Sequence, residues 1–316
     1  MSEATRTDIP RVVSLIASAT EVVCALGAGH LLVARSHECD WPPAVERLPS
    51  LTRARFPTSV PGRDIDRSVK ALIERGLAVY EVDAQGLRRA RPDVILTQDQ
   101  CEVCAVSLAD VERAVASWVD CRANVVSLRP HTLTDICRDN ERIAAALGRP
   151  EAGATLNAAM RRRLDAIASR VTGLSRPRLA FIEWIDPLMS CGHWMPELVA
   201  TAGAINLFGE TGAASPWISM TDLAAADPDV ILVAPCGYPI ERSRREMPLL
   251  DRDPAWRGLR AVATGNVYIA DGNAYFNRPG PRLVESAEII AEILHPAAMP
   301  RKHLGAGVRR HVPGNG

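Results

Sequence analysis

The loop motifs of several common enzyme classes are missing from this sequence. Its 316 residues contain no G-x-S-x-G nucleophile elbow, no P-loop and no G-x-G-x-x-G dinucleotide loop. Most glycines instead follow predicted helices, where they serve as helix ends. No motif therefore indicates a hydrolase with a nucleophile elbow, a P-loop nucleoside triphosphatase or a dinucleotide-dependent enzyme.

An excess of one charge is also missing. Lys plus Arg and Asp plus Glu both number 37, so the formal net charge is zero, and the basic excess typical of nucleic-acid-binding proteins is excluded.

No run of about 18 uncharged apolar residues is present, so we expect no membrane insertion. The polar N-terminus lacks the basic and then apolar segments of a secretory signal. We therefore expect a cytoplasmic protein whose eight cysteines are thiols or metal ligands rather than disulfides.

Short apolar runs alternate with helical periods, which predicts an α/β fold with parallel sheets. We expect two Rossmann-like lobes, residues 1–130 and 177–298, a long helical connector at 131–176 and a flexible tail at 299–316. The octamers 90–97 and 226–233 match at six of eight positions, which supports two similar lobes. Ser18 and Glu21 have the spacing of a capping box at the start of the first helix.

Two loops combine thiols, an imidazole and carboxylates. The first contains His37 and Cys39, and the second contains Cys101 and Cys104; each follows a predicted buried strand. Loops at the carboxyl ends of parallel strands are where ligands bind in open α/β sheets. The C-x-x-C pair is consistent with a soft metal such as Zn or Fe, with dithiol redox chemistry, or with structural cysteines. If metal is bound, His37 and Cys39 would complete the ligand set through the fold.

The second lobe contains a further set of polar and aromatic residues in predicted loops or at strand ends. His193 is a candidate axial ligand for a metal-bearing planar molecule, and the alternative is an ordinary hydrogen-bonding histidine. Aromatic residues are few, with six Trp, four Tyr and four Phe. We therefore expect several of the aromatic residues outside helices to face a ligand rather than the core.

The sequence resembles a known family in several segments. These are Arg11–Leu15 with Ser18–Glu21, Ala25–Gly29, the two Pro-Asp-Val-Ile-Leu strands, and Arg278–Arg282 before the last helix. Over residues 11–296 they are similar to class III, helical-backbone substrate-binding proteins of ABC importers for cobalamin and iron siderophores. The Ser36–Asp40 and Cys101–Cys104 loops resemble a cobalamin-binding subgroup.

The resemblance implies a non-enzymatic protein that binds cobalamin or a related metal chelate, such as a corrinoid, haem or siderophore, in a cleft between the lobes. It also implies an ABC permease as partner. The alternative is a cytoplasmic thiol- or metal-dependent enzyme, or a metal-sensing or delivery protein, that uses Cys39, Cys101 and Cys104. The candidate ligand-binding residues are Ser18, Trp41, Gln98, Glu183, Trp184, Trp194, Tyr275, Phe276 and Arg278. The candidate metal ligands are His37, Cys39, Cys101, Cys104 and His193.

Overall fold

The computed structural model describes residues 9–75, 78–99 and 123–313. The chain divides into two compact units. Unit 1 consists of Met1–Thr58, Val69–Arg129 and Cys137–Asn157, and unit 2 consists of Ser59–Ser68, Pro130–Ile136 and Ala158–Gly316. The predicted connector, residues 131–176, is therefore shared by the two units.

Unit 1 is built on a parallel sheet. Its strands are β1 (Val12–Ser14), β2 (Leu32–Arg35), β3 (Thr52–Ala54), β4 (Tyr80–Val82), β5 (Val94–Gln98) and β6 (Asn124–Leu128). The sheet order is β2-β1-β5-β6 with all neighbours parallel, while β3 and β4 form a separate antiparallel pair. Every residue of β5 is buried, as expected for a strand covered on both faces. This explains the apolar sequence of its first three residues, Val94–Leu96.

Unit 2 repeats this arrangement and extends it. Its strands are β7 (Arg178–Trp184), β8 (Met189–Ser190), β9 (Ile205–Asn206), β10 (Val230–Val233), β11 (Val267–Ala270) and β12 (Val308–Arg310). Strands β9, β7, β10 and β11 are parallel neighbours, in the places of β2, β1, β5 and β6. Strands β8 and β12 add antiparallel edges to β7 and β11. The predicted α/β class with two similar parallel-sheet lobes is confirmed.

The helices pack around the two sheets. They are α1 (Ala17–Ala25), α2 (Gly62–Glu74), α3 (Ala84–Ala90), α4 (Leu133–Ala146), α5 (Pro150–Val171), α6 (Met195–Thr201), α7 (Met220–Ala226), α8 (Ile240–Glu246), α9 (Pro248–Asp251), α10 (Pro254–Arg257), α11 (Arg260–Ala263) and α12 (Leu283–Leu294). In the described ranges, no helix combines the length and the apolar content needed to span a bilayer.

Two local predictions are wrong. The segment expected to be a flexible tail contains β12, which pairs with β11 from Tyr268 to Ala270. The capping box is also absent, because the N-cap of α1 is Ile16, with extended backbone angles and no side-chain cap. Ser18 already lies inside the first turn, so its spacing to Glu21 starts two residues too late to cap the helix.

The repeated octamers have the same structure in both units. Asp93 in unit 1 accepts a hydrogen bond from the backbone N–H of Arg11 at 2.8 Å. Asp229 in unit 2 accepts the equivalent bond from Arg178 at 2.8 Å. Each bond joins the start of the first strand of the unit, β1 or β7, to the residue before its parallel neighbour, β5 or β10, and so fixes where these two strands begin.

The same two arginines also cap helices. Arg11 Nε donates to the carbonyl of Ala90 at 2.8 Å, and Arg178 Nη2 donates to that of Ala226 at 2.9 Å. These carbonyls lie at the last residues of α3 and α7, where intrahelical partners are lacking. One arginine in each unit therefore joins a helix end to the sheet.

We expect Asp93→Ala and Asp229→Ala each to lower the free energy of unfolding by about 1–2 kcal/mol, because each removes the acceptor of a structural backbone N–H. Urea denaturation followed by circular dichroism measures the change. The control is Asp165→Ala, an exposed position on α5, for which we expect a change within about 0.5 kcal/mol. Equal effects at all three positions would contradict the anchoring role.

Candidate ligand-binding site

The strand order of each unit defines where a ligand is expected. In unit 1 the chain goes from β1 outward to β2 and returns to β5 on the other side of β1. In unit 2 it goes from β7 to β9 and returns to β10. Ligands of open α/β sheets bind at such a reversal, beyond the carboxyl ends of the strands. We call these places the unit 1 edge (residues 15–18, 36–41 and 98–99) and the unit 2 edge (residues 183–194, 234–238 and 271–278).

Ser18 lies at the unit 1 edge, in the first turn of α1. Its side chain is 2% exposed, and its hydroxyl has no hydrogen-bond partner among the residues that the structure describes. The helix has neither a side-chain cap nor an acidic residue in its first turn. A buried hydroxyl and a helix N-terminus both gain from a hydrogen-bond acceptor. The start of α1 is therefore suited to a polar group of a ligand.

Cys39 lies in the core behind this edge. Its thiol is 1% exposed and belongs to the apolar cluster of unit 1. The Thr20 hydroxyl donates to Sγ at 3.0 Å, and Sγ lies 3.9 Å from the carbonyl oxygen of Ser14. These contacts attach the 36–41 loop to α1. They give Cys39 a structural environment in the part of unit 1 that is described.

His37 is fixed by the neighbouring β3–β4 pair. Its Nδ1 lies 2.7 Å from the Thr52 hydroxyl, and its ring lies 5.3 Å from that of Tyr80. Tyr80 also donates its hydroxyl proton to Glu38 at 3.0 Å. Burial and, to a smaller extent, Arg35 lower the pKa of His37, so this imidazole is neutral at neutral pH. Sequence reasoning missed Thr52 and Tyr80, which come close only through strand pairing.

Trp41 and Gln98 complete the described part of the unit 1 edge. Trp41 exposes 45% of its surface, whereas Gln98, the last residue of β5, is buried. Cys101 and Cys104 lie outside the described residues. Within the described ranges, no group of three or more His, Cys, Asp or Glu side chains is arranged to hold a metal ion.

At the unit 2 edge, Trp184 belongs to a tilted aromatic pair with Tyr238. The two ring centroids are 5.1 Å apart, and the guanidinium of Arg242 lies 3.8 Å from the centre of the Tyr238 ring. The Trp184 indole N–H donates to the carbonyl of Asp186 at 3.1 Å. Glu183, next to Trp184, accepts a hydrogen bond from the Ser215 hydroxyl at 2.9 Å. Both predicted residues are thus held in place by unit 2 itself.

A partly buried acid, Glu246, interacts with Tyr238 of this pair. Glu246 accepts a hydrogen bond from the backbone N–H of Gly62, the first residue of α2, at 3.1 Å. Burial raises the pKa of Glu246, and burial together with Glu246 raises the pKa of Tyr238 to about 12. Tyr238 therefore keeps its proton, and its hydroxyl accepts from Arg242 at 2.9 Å.

Trp194 and Phe276 lie in the interior of unit 2. The Trp194 indole N–H donates to the carbonyl of Phe276 at 3.2 Å. Phe276 is completely buried and packs against Phe181 at a ring distance of 5.3 Å. These contacts give both side chains a packing role, since neither presents an open aromatic face.

Tyr275 and Arg278 lie in the loop after β11. Tyr275 is partly buried, which raises its pKa, and its ring contacts His303 at a centroid distance of 6.3 Å. Arg278 is buried, and its Nη2 donates to the Asn273 side chain at 2.9 Å. His193 contacts the ring of His131 at 5.5 Å, a neighbour that the sequence did not indicate.

Comparison with known proteins extends these observations to the whole chain. The family model described as "Periplasmic binding protein" matches residues 12–274. The chain belongs to this family. It is 22% identical over 287 aligned residues to the vitamin B12-binding protein of Vibrio cholerae. The alignment covers 90% of this chain and 88% of the relative.

Two solved structures in the comparison have the same fold. A periplasmic haem-binding protein from Pseudomonas aeruginosa superposes with a TM-score of 0.72 at 21% identity, covering 97% of this chain and 99% of the other. The periplasmic vitamin B12-binding protein of Vibrio cholerae superposes with a TM-score of 0.65 at 20% identity, covering 91% and 97%. Periplasmic binding proteins of this kind are substrate-binding proteins and not enzymes. Family membership therefore does not support the alternative of a thiol- or metal-dependent enzyme.

Thiol labelling tests the structural environment of Cys39 and Cys191. Both are buried, whereas Cys137 and Cys236 are partly exposed. Burial also raises the pKa of Cys191, which lowers its thiolate fraction. After brief native labelling with iodoacetamide, peptide mapping should show Cys137 and Cys236 modified well before Cys39 and Cys191. Early modification of Cys39 would contradict its placement in the core.

Proposed function

We propose that this member of the periplasmic binding protein family binds a tetrapyrrole metal chelate, cobalamin or haem, as its ligand. The observation that carries the proposal is the unit 1 edge, where an exposed indole and an uncapped helix start lie at the reversal of the strand order. The names of the relatives agree, since they include vitamin B12-binding and haem-binding proteins.

Trp41 is suited to the flat face of such a ligand. An indole supplies a large apolar surface and stacks on planar rings. Trp41 exposes nearly half of its surface at the end of the loop that follows β2. The same loop is attached to α1 through Cys39 and Thr20, so the indole is presented by a fixed backbone. This removes part of the ordering cost of binding.

The start of α1 is suited to the polar groups at the ligand's periphery. Cobalamin has amide and phosphate oxygens, and haem has propionate carboxylates; all of these accept hydrogen bonds. Ser18 supplies a buried donor without a described partner, and the helix N-terminus adds backbone N–H groups and a positive dipole end. Gln98 ends the neighbouring strand. At the unit 2 edge, we propose Glu183, Trp184, Tyr275 and Arg278 as further contacts.

The proposal includes a partner. A substrate-binding protein delivers its ligand to a transporter, and we propose an ABC permease as the receiving protein, as the family resemblance implies.

Titration of the purified protein with hydroxocobalamin and with haemin tests the function. We expect saturable 1:1 binding of at least one of them, with a shift of the absorption bands and measurable heat by calorimetry. Imidazole-free buffer and an untagged protein avoid ligation of the metal by added groups. Absence of both signals for both ligands would refute the proposal.

Trp41→Ala should weaken the affinity for the ligand about tenfold, which corresponds to about 1.4 kcal/mol. Trp41→Phe should stay within about threefold of the original affinity, because it preserves an aromatic face. Competition or direct titration with the ligand identified above measures both variants. An alanine variant that binds as tightly as the original chain would remove Trp41 from the site.

Ser18→Ala should separate binding from stability. Removing a buried hydroxyl without a partner is expected to be neutral or to raise the free energy of unfolding by up to about 1 kcal/mol, while the affinity for the ligand falls about fivefold or more. Ser286→Ala is the matched control, because Ser286 is fully buried and its hydroxyl also lacks a partner among the described residues, but it lies in α12. Its substitution should leave the affinity unchanged. Equal affinities for the Ser18→Ala and Ser286→Ala variants would exclude contact with Ser18.

A further inference from the structure

Two imidazoles meet in unit 2. The rings of His131 and His193 have centroids 5.5 Å apart and planes inclined by 47°. The sequence places them in different segments, before α4 and before α6 respectively. The fold brings them together. Each histidine lies at the start of a helix, and both helix starts belong to unit 2.

Hydrogen bonds to two carboxylates, Asp135 and Glu197, fix the backbone of the segment that carries His131. The Asp135 carboxylate accepts hydrogen bonds from the backbone N–H groups of His131, at 3.3 Å, and of Thr132, at 3.0 Å. The next N–H, that of Leu133, donates to the carboxylate of Glu197 in α6 at 2.8 Å. The two helix starts that carry the histidines are thus joined directly.

The backbone of His193 adopts an unusual conformation. Its φ angle is +51°, which costs about 1–3 kcal/mol for a residue other than glycine unless the surroundings impose it. Here its N–H donates to the Ala213 carbonyl at 2.7 Å, and its carbonyl accepts from the Gly212 N–H at 2.9 Å. A Cβ at the preceding Gly192 would lie 2.5 Å from the Ala213 oxygen, so only glycine permits this close approach. These contacts fix the backbone from which the imidazole of His193 projects.

The side chain of His193 has an unused nitrogen. Its Nδ1 is buried and has no hydrogen-bond partner among the described residues, at a cost of about 1–3 kcal/mol. One ring face stacks on Trp194 at a centroid distance of 5.9 Å. Burial and, second, His131 lower the pKa of His193. At neutral pH the ring is therefore uncharged and has a lone pair to offer.

We propose that His131 and His193 form a two-imidazole site for a hydrated divalent ion of the late first-row transition metals, Ni²⁺, Cu²⁺ or Zn²⁺. Imidazole nitrogen is a preferred ligand for these ions. No third His, Cys, Asp or Glu of the described residues joins them, so water fills the remaining coordination positions. The site goes beyond the proposed tetrapyrrole binding and does not depend on it.

Nickel is the probe for the test, because it does not oxidise thiols as Cu²⁺ does. Metal-free full-length protein with Cys101→Ser and Cys104→Ser, which removes the C-x-x-C pair as a competing ligand, is titrated with Ni²⁺ by calorimetry. We expect one site.

The variants are His193→Asn and His131→Gln, and the control is His30→Asn, since His30 is exposed in unit 1. Asparagine tolerates a positive φ better than most residues, so the backbone at position 193 is preserved. Each single variant should weaken Ni²⁺ binding at least tenfold, and the double variant should lose little more, because a chelate fails when either ligand is removed. The control should bind as before.

Two results would overturn the proposal. Absence of Ni²⁺ binding would do so, as would binding that survives both histidine substitutions, which would indicate an adventitious ion only. Circular dichroism and titration with haemin or hydroxocobalamin show whether the variants remain folded. If no protein in the series bound haemin or hydroxocobalamin while Ni²⁺ bound as expected, the proposed tetrapyrrole function would be contradicted and the metal site would stand.

Discussion

In each unit, one carboxylate holds two neighbouring parallel strands in register at their starting ends, β1 and β5 in unit 1 and β7 and β10 in unit 2. Asp93 accepts a hydrogen bond from the backbone N–H of Arg11, which precedes β1, and Asp229 accepts one from Arg178, the first residue of β7. The positions of the loops at the opposite ends of these strands depend on that register. If one strand shifted along its neighbour at the starting end, its carboxyl end would shift by the same distance. The loops that form the unit 1 and unit 2 edges begin where these strands finish.

The fold could be predicted wherever the sequence pattern is local. The alternation of strands and helices is an example, because short apolar runs and helical periods mark elements such as β6 (Asn124–Leu128) and α5 (Pro150–Val171). Strand β12 could not be predicted in this way, since two of its three residues are exposed arginines. Its position depends on pairing with β11 rather than on an apolar pattern of its own.

The candidate site was only partly accessible to sequence reasoning, and the reason is again physical. Gln98, Glu183 and Trp184 lie at the carboxyl ends of their strands, which a parallel sheet brings to one edge, and Ser18 lies at the start of the helix that follows β1. The position of a residue in the sequence does not show how deeply its side chain is buried, however. Phe276 belongs to an apparent surface loop but lies completely in the core, and the contact between His131 and His193 arises from distant segments.

Strand β12 has a consequence for how the chain can be handled. It covers the outer edge of β11, whose backbone N–H and C=O groups would otherwise be open to pairing with another molecule. A shortened version that stops at residue 298, where the last helix and its following turn have ended, would uncover this edge. The backbone of β12 therefore protects the outer edge of β11 from pairing with the edge strand of a second molecule.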